Sequence, residues 1–432
     1  MTMSRTAEIR AVAAKDPARA EAMLAAFLGQ TFGITAEGVT INHDQYSLNS
    51  LNGFFTCEKG ACFFKFHQEE GEEEMRGEYY RADILARAGL PVDQPILSST
   101  LPGEQILVYR RREDPRFSDV LRALDLAPDA AAEARALSAE RGLNEKLLSV
   151  AKDSLHRITP AQSRAEPIHR LFHERLIDPA SGTYPAGRLA SFYIGKEFTL
   201  PGVSAPWDQI STATPVINGV EYDRPLGALF DAAHQRLMPE RLADAGGIVA
   251  HGDAHNANVW YERGAEADHL AFFDPAFAGE DVPSLLAEVK STFHNILAHP
   301  LWLYDSDMVP GRWQVSARLT GEHIYIESDW QPGRLREALL QVKAEAFWKP
   351  WLSHLAAQGM LPADWEEVVR LALFLCPTMV MNLRAGAGRH NPQSSAIGLS
   401  QAIICGARPV QGQDRMTRFF DAIRPSGSDS GV

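Results

Sequence analysis

His251, Asp253, His255 and Asn258 fall within one short stretch, IVAHGDAHNANVWY, at residues 248–261. An apolar run enters a tight His-Gly-Asp turn and a second apolar run, Val259-Trp260-Tyr261, leads away, so a polar loop is expected between two short strands. Further on, the apolar run 270–273 delivers Asp274 to a strand end. Two carboxylates and a carboxamide at strand ends are what a Mg-nucleotide site needs. Asp253 can accept a hydroxyl proton, while the Asn258 amide oxygen and Asp274 suit the hard, oxygen-seeking Mg²⁺. The same loop admits another reading. His251, Asp253 and His255 alternate, would share one face of a strand, and could ligate a transition metal in a hydrolase.

His251-Gly252-Asp253-Ala254-His255-Asn256-Ala257-Asn258, followed by Asp274, resembles the HGDxHxxN…D signature of the aminoglycoside phosphotransferase and choline kinase group, which is similar in fold to protein kinases. Pro275 stands where protein kinases carry Phe-Gly after the metal acid, and the interval from Asn258 to Asp274, with its charged ERGAEAD turn, reads as an extended hairpin. The resemblance implies an α+β, two-lobed protein-kinase-like fold with a small antiparallel β-rich N-lobe and a larger α-helical C-lobe. It implies ATP and Mg²⁺ as cofactors and a small-molecule hydroxyl as acceptor. Asp253 would then be the catalytic acceptor of the proton, His251 a brace for the loop, His255 a residue lining the substrate side, and Asn258 with Asp274 the metal ligands.

Upstream, four runs pattern as strands between Val39 and Arg110: VTINH, NGFFTC, ACFFKF and QILVYR. This predicts a small antiparallel sheet interrupted by one helix. Lys65 lies inside the strand ACFFKF, where a lysine alone would snorkel to water. The following stretch carries Glu78, Ala82 and Leu85 at i, i+4 and i+7, which puts Glu78 on the buried side of a helix ending at Gly89-Leu90-Pro91. A strand lysine facing a helix glutamate matches the ion pair that orients phosphates in kinase-like folds, with Glu74 as the alternative partner one turn earlier. Its neighbours Glu69, Glu70, Glu72 and Glu73 read as a solvated acidic face. By the resemblance, residues 45–54 form the loop over the phosphates, with Ser50, Asn52 and Gly53 as donors; an ordinary hairpin turn has the same composition. Val108 and Arg110 are placed, by position only, where the sheet passes into an adenine-pairing hinge at 108–111.

The larger organisation follows from periodicity. Apolar residues at helical spacing over 6–29 predict one amphipathic helix packing on the first lobe, so the divisions expected are 1–35, 36–112, 113–425 and a flexible tail at 426–432. From 113 to 246 the pattern is mostly helical, and helices are also expected over 331–358, 363–385 and 394–405. Residues 199–219, rich in Pro, Gly and Thr, read as a long loop suited to a lid. Asp281 reads as the N-cap of a helix with Pro283 in its first turn. The loop 384–395, with Arg384, Arg389 and His390, could bind an anion at a helix N-terminus or be an ordinary capped turn. His294, His299, Trp302 and Trp313 read as core or surface residues.

With 432 residues, 45% hydrophobic and 22% charged, the chain can bury a sizeable core. A net charge of −13 speaks against a nucleic-acid footprint. Four cysteines without close CxxC spacing suit a reducing cytoplasm, and no apolar run reaches the length of a membrane span, so a cytoplasmic protein is expected. Nothing in the pattern sets an oligomeric state. The acceptor stays open among aminoglycoside, choline-like amine, sugar, amino alcohol and macrolide.

Overall fold

The computed structural model describes residues 5–42, 50–67, 76–99, 101, 104–298 and 300–425. The contents are α+β, as the sequence led us to expect, and the chain divides into two compact units. One comprises Met1–Arg87 with Pro91–Asp114, the other Ala88–Leu90 with Pro115–Val432.

The first unit opens on two helices, α1 (Arg5–Ala13) and α2 (Pro17–Phe32), where the periodicity predicted one. The break is local chemistry: Asp16 accepts a hydrogen bond from the Arg19 amide and Pro17 occupies the first turn, so a new helix starts there. Strands β1 (Glu37–Ile41), β2 (Ser50–Cys57), β3 (Gly60–His67), β4 (Leu97–Ser99) and β5 (Ile106–Arg110) form one antiparallel sheet in the order β1-β2-β3-β5-β4, with helix α3 (Arg76–Arg87) between β3 and β4 in the chain. Leu24 and Phe27 of α2 pack with Phe55, Cys62, Phe64, Ile106 and Val108 on one face of this sheet. Lys65 is directly paired with Asn52 and Leu107, so it belongs to the opposite face. Cys57 and Cys62 are free thiols with sulfurs 3.7 Å apart.

Two expectations in this sheet need correction. Asn52 and Gly53 lie inside β2 rather than in a loop, paired with Lys65 and Phe64. Asn52 is buried and its amide oxygen accepts from Asn42 Nδ2 at 2.9 Å. A Cβ on Gly53 would sit 1.9 Å from the Thr40 carbonyl oxygen and 2.8 Å from the Phe64 ring, so this glycine is there to let two strands close up. Ser50 opens β2, and residues 45–49 of the expected phosphate loop lie outside the described residues. Val108 likewise belongs to β5 and not to a hinge: it is fully buried and in register with both Phe64 and Leu97, while Arg110 closes the same strand opposite Cys62. Its carbonyl accepts from the Ile96 amide at 2.8 Å, so that oxygen is not open to adenine. Gly53→Ala is expected to destabilise the protein by ~1–3 kcal/mol, the usual cost of overpacking, read as a lower urea midpoint at unchanged slope. An unchanged midpoint would mean that β1 and β2 can part freely.

The second unit runs in order through α4 (Phe117–Leu126), α5 (Ala130–Ser154), α6 (Pro160–Ala165), α7 (Gly187–Phe192), β6 (Glu197–Leu200), β7 (Val203–Pro206), α8 (Trp207–Thr212), β8 (Thr214–Ile217), β9 (Val220–Glu221) and α9 (Leu226–Arg236). It continues with β10 (Gly247–Ala250), β11 (Val259–Glu262), β12 (His269–Phe272), β13 (Gly279–Pro283), α10 (Val289–Thr292), α11 (Pro300–Leu303), β14 (Val315–Thr320) and β15 (His323–Ser328). The helices α12 (Arg334–Lys343), α13 (Lys349–Ala357), α14 (Trp365–Val380), α15 (Pro392–Gly406) and α16 (Arg415–Ile423) complete it. The stretch 199–219 is not a loop. It spans parts of the β6–β7 hairpin, α8 and β8, because Leu200, Ala205, Trp207, Ile210, Val216 and Ile217 are all buried and outweigh the turn-forming residues among them. A further sheet, β14-β15-β8-β9, with β15 parallel to β8, was not anticipated. No helix among the described residues is long and apolar enough to cross a membrane.

Candidate active site

Two antiparallel strand pairs hold the HGDAHNAN loop. Strand β10 pairs with β13, and β11 pairs with β12 in the register Val259↔Phe272 to Glu262↔His269, the hairpin foreseen between Asn258 and Asp274. The Phe273 amide donates to the Asn258 carbonyl at 3.0 Å and extends that ladder by one step. Asn258 therefore sits across from Phe273, one residue short of Asp274, which places amide and carboxylate at the same end of the hairpin.

The loop is fastened by its own polar groups. His251 is buried, with Nε2 3.0 Å from the Phe273 carbonyl and Nδ1 accepting from the Asp253 amide at 3.3 Å. The first contact requires the ring proton on Nε2, the second leaves Nδ1 as acceptor, and burial lowers the imidazole pKa further into the neutral range. Both ring nitrogens are thus engaged, which leaves no lone pair for the metal that a hydrolase reading would place here. Gly252 has φ +75°, and a Cβ there would meet the Phe277 carbonyl at 2.5 Å, so the turn admits glycine only. His255 Nδ1 accepts from the Ala257 amide at 3.3 Å and caps the single turn Asn256–Asn258. Asn258 Nδ2 donates to the Asp253 carbonyl at 3.0 Å, so its oxygen is the end left for a cation. Asp274 has φ +53°, a left-handed conformation that costs a non-glycine residue ~1–2 kcal/mol and recurs at functional sites.

Asp253 stands apart from this economy of hydrogen bonds. Its Oδ1 is buried with no hydrogen-bond partner among the described residues, although Lys290 Nζ lies at 3.5 Å. Its Oδ2 has His255 Nε2 at 3.8 Å, beyond hydrogen-bond length. Burial lowers the pKa of His255, so the ring facing this carboxylate is neutral at ordinary pH.

Lys290, His294 and Asn295 complete the surroundings; the sequence pattern assigns none of them a role, His294 reading only as a core or surface residue. Lys290 and His294 are buried, with Nζ 3.2 Å from His294 Nε2. Asn295 Oδ1 accepts from the Asn256 amide at 2.7 Å, and its own carbonyl accepts from Arg336, which is paired at 2.5 Å with Asp125. These residues come from α10 and the wide π-turn Phe293–Leu297, a form that often marks functional sites. The available signal was a run of polar residues, Lys290 to Thr292 with His294 and Asn295, in a segment of helical pattern.

Other expectations change. Asp281 is not a helix cap but lies in β13, held by His156 Nε2 at 2.7 Å and Gln162 Nε2 at 3.3 Å; the helix begins beyond it, after Glu288. In the loop 384–395 the N-terminus of α15 is closed by a reciprocal Asn391–Ser394 capping box, the ordinary alternative for that segment. Lys65 sits in β3, half-buried, and Glu78 lies on α3, its side chain outside what is described. Glu69, Glu70, Glu72, Glu73, Glu74, His299 and the tail 426–432 lie outside the described residues.

No protein-family model matches the chain, and no curated protein matches it. Solved structures similar to it include spectinomycin phosphotransferase APH(9)-Ia in complex with ADP and spectinomycin, at 12% identity over 88% of this chain and 98% of that one, TM-score 0.41. Macrolide 2'-phosphotransferase MphH from Brachybacterium faecium aligns at 12% identity over 91% and 100% of the two chains, TM-score 0.35. An ethanolamine kinase from Plasmodium vivax aligns at 9% identity over 92% and 94%, TM-score 0.38.

Proposed function

We propose that the protein is an ATP-dependent phosphotransferase that moves the γ-phosphoryl group of ATP to a hydroxyl of a small molecule. The observation that carries this reading is the Asp253 carboxylate. It has unmet hydrogen-bonding capacity at the centre of a loop whose other polar groups are largely engaged with one another. Leaving a buried carboxylate short of donors is costly unless a ligand supplies one, and a substrate hydroxyl does so. Asp253 takes the hydroxyl proton, on the side where His255 Nε2 stands 3.8 Å from Oδ2, beyond hydrogen-bond length. His251 keeps the loop in register through its two hydrogen bonds.

For magnesium, the residues fit: Asn258 Oδ1 and the Asp274 carboxylate are hard oxygen donors at one end of the β11–β12 hairpin, suited to an ion that keeps part of its water shell. When bound, Mg²⁺ supplies neutralisation of the phosphate oxygens. In this reading Lys65 is the residue that would steady the α- and β-phosphates, with Glu78 the partner that the resemblance assigns to it.

The test is ADP release with Mg-ATP across a library of hydroxyl compounds, beside melting curves with ATP in the presence of Mg²⁺ or EDTA. Asp274→Asn is expected to abolish the Mg-dependent part of the ATP-induced melting shift, because a neutral amide is a far poorer ligand for Mg²⁺ than a carboxylate. Equal shifts with EDTA and with Mg²⁺ in the unmodified protein would end the metal assignment.

A further inference from the structure

Lys290 is a cation buried beside the catalytic carboxylate, and it constrains what can bind there. Its side chain is 5% exposed, with Nζ 3.5 Å from Asp253 Oδ1 and 3.2 Å from His294 Nε2. Because His294 accepts from the ammonium through Nε2, the ring proton sits on Nδ1, toward Tyr304 Oη at 3.3 Å. Burial and the charge of Lys290 keep that imidazole neutral. One N–H of the ammonium is thus taken by His294, and the carboxylate stands at ion-pair rather than hydrogen-bond distance.

A second cation, Arg175, feels the charge of Asp253. Arg175 donates to the Met379 carbonyl at 3.1 Å, and Arg188 donates to the same oxygen at 2.8 Å, so two guanidinium groups gather at the C-terminal end of α14. Burial and Arg188 pull the Arg175 pKa down to about 10, while the charge of Asp253 acts on it in the opposite sense. It remains a cation at neutral pH. The Cys376 thiol, which feels Asp253, Lys290 and Arg175 alike, is pushed up to about 12 by burial and carries no charge. The cation that stands at the Asp253 carboxylate is therefore Lys290, with His255 and His294 neutral beside it.

A cationic acceptor that seats its ammonium against Lys290 meets like charge there, offset only in part by the Asp253 carboxylate 3.5 Å away. Like charges ~4 Å apart near a protein surface repel by an amount equivalent to about a thousandfold in affinity. An anionic oxygen there gains where an amine loses. Resting on the function proposed above, we propose that the acceptor is an anion: a hydroxy compound whose carboxylate or phosphate oxygen is held by Lys290. Its hydroxyl is offered to Asp253. The hydroxyl oxygen attacks the γ-phosphorus, the bond from that phosphorus to the β–γ bridging oxygen breaks, ADP leaves with the bond pair, and the hydroxyl proton passes to Asp253.

The experiment measures Mg-ATP-dependent ADP release with four panels at equal concentration: hydroxycarboxylates, sugar phosphates, amino alcohols and aminoglycosides. Release should rise above the rate with water only for members of the first two panels, and which of them responds identifies carboxylate or phosphate as the anion. In Lys290→Gln, checked as folded by its melting curve, KM for that acceptor should rise ~10²–10³-fold, far more than kcat falls, and Lys290→Arg should recover part of it. A merely structural lysine would lower kcat for every acceptor alike. Stimulation by amines and by no anion overturns the proposal while leaving the phosphotransferase reading standing. So does an anionic acceptor whose KM is indifferent to Lys290→Gln. Failure of all four panels overturns it as well, and a Mg-ATP melting shift in that protein then shows that the nucleotide-binding part of the broader reading has survived.

Discussion

Asp253→Asn is expected to keep Mg-ATP binding nearly unchanged and to lose phosphoryl transfer by ~10²–10⁴-fold, the usual effect of removing a positioned base. The substitution preserves size and one acceptor oxygen while removing the charge. The surrounding bonds give it little other work: the loop is fastened through the Asp253 backbone, whose amide donates to His251 and whose carbonyl accepts from Asn258 and the His255 amide. None of those bonds involves the carboxylate, so the loop should survive the exchange. Calorimetry with Mg-ATP and ADP release on the same preparation decide the matter. If affinity falls together with turnover, Asp253 is a metal ligand; if turnover persists, this loop is not where the proton goes.

What made this loop legible is that its chemistry is local. His251, Asp253, His255 and Asn258 bond to each other's backbone within eight residues, and the apolar runs on either side could only be short strands. The same holds for α2, whose start is written in Asp16-Pro17, although periodicity alone ran it together with α1. Failures occurred where partners are remote. Strand β8 pairs in parallel with β15 across more than a hundred residues, so 199–219 offered only its Pro, Gly and Thr content and was misread. Val108 looked like the start of a hinge because β4, the strand that claims its backbone, is only three residues long. Lys290, His294 and Asn295 face the site from a segment that reads as an ordinary helix, and no spacing rule ties a residue near 290 to a loop near 253. Polar residues on a buried helical face were the available clue. Each of them, taken alone, is more economically read as a satisfied core residue.

That clue leads to the largest stability effect expected in the chain. Lys343, at the end of α12, is 2% exposed and bonds to Glu288 Oε2 at 2.6 Å, with Glu140 Oε1 of α5 at 3.8 Å. Glu288 is buried too and takes a second hydrogen bond from Ser291 Oγ at 2.6 Å, just ahead of Lys290. Lys343→Met keeps length and packing but leaves two buried carboxylates without their cation. Removing one partner of a buried pair costs ~3–5 kcal/mol because the other charge is stranded. The loss should therefore appear in urea unfolding at neutral pH as a large drop in midpoint. It should also depend on pH with a definite sign. Burial already raises the Glu140 pKa, and Lys343 is the group that chiefly opposes this. Without Lys343 the folded-state pKa rises further above its unfolded value, so the folded variant binds the proton more tightly than the unfolded chain does. Stability lost to the ionised form is then recovered as pH falls through the raised pKa toward the ordinary glutamate value near ~4.3. Midpoints measured at pH 8 and pH 5 should accordingly bring variant and parent closer together at the lower pH; a deficit that is constant across that interval would mean that the cost comes from packing at Lys343 and not from the stranded charge.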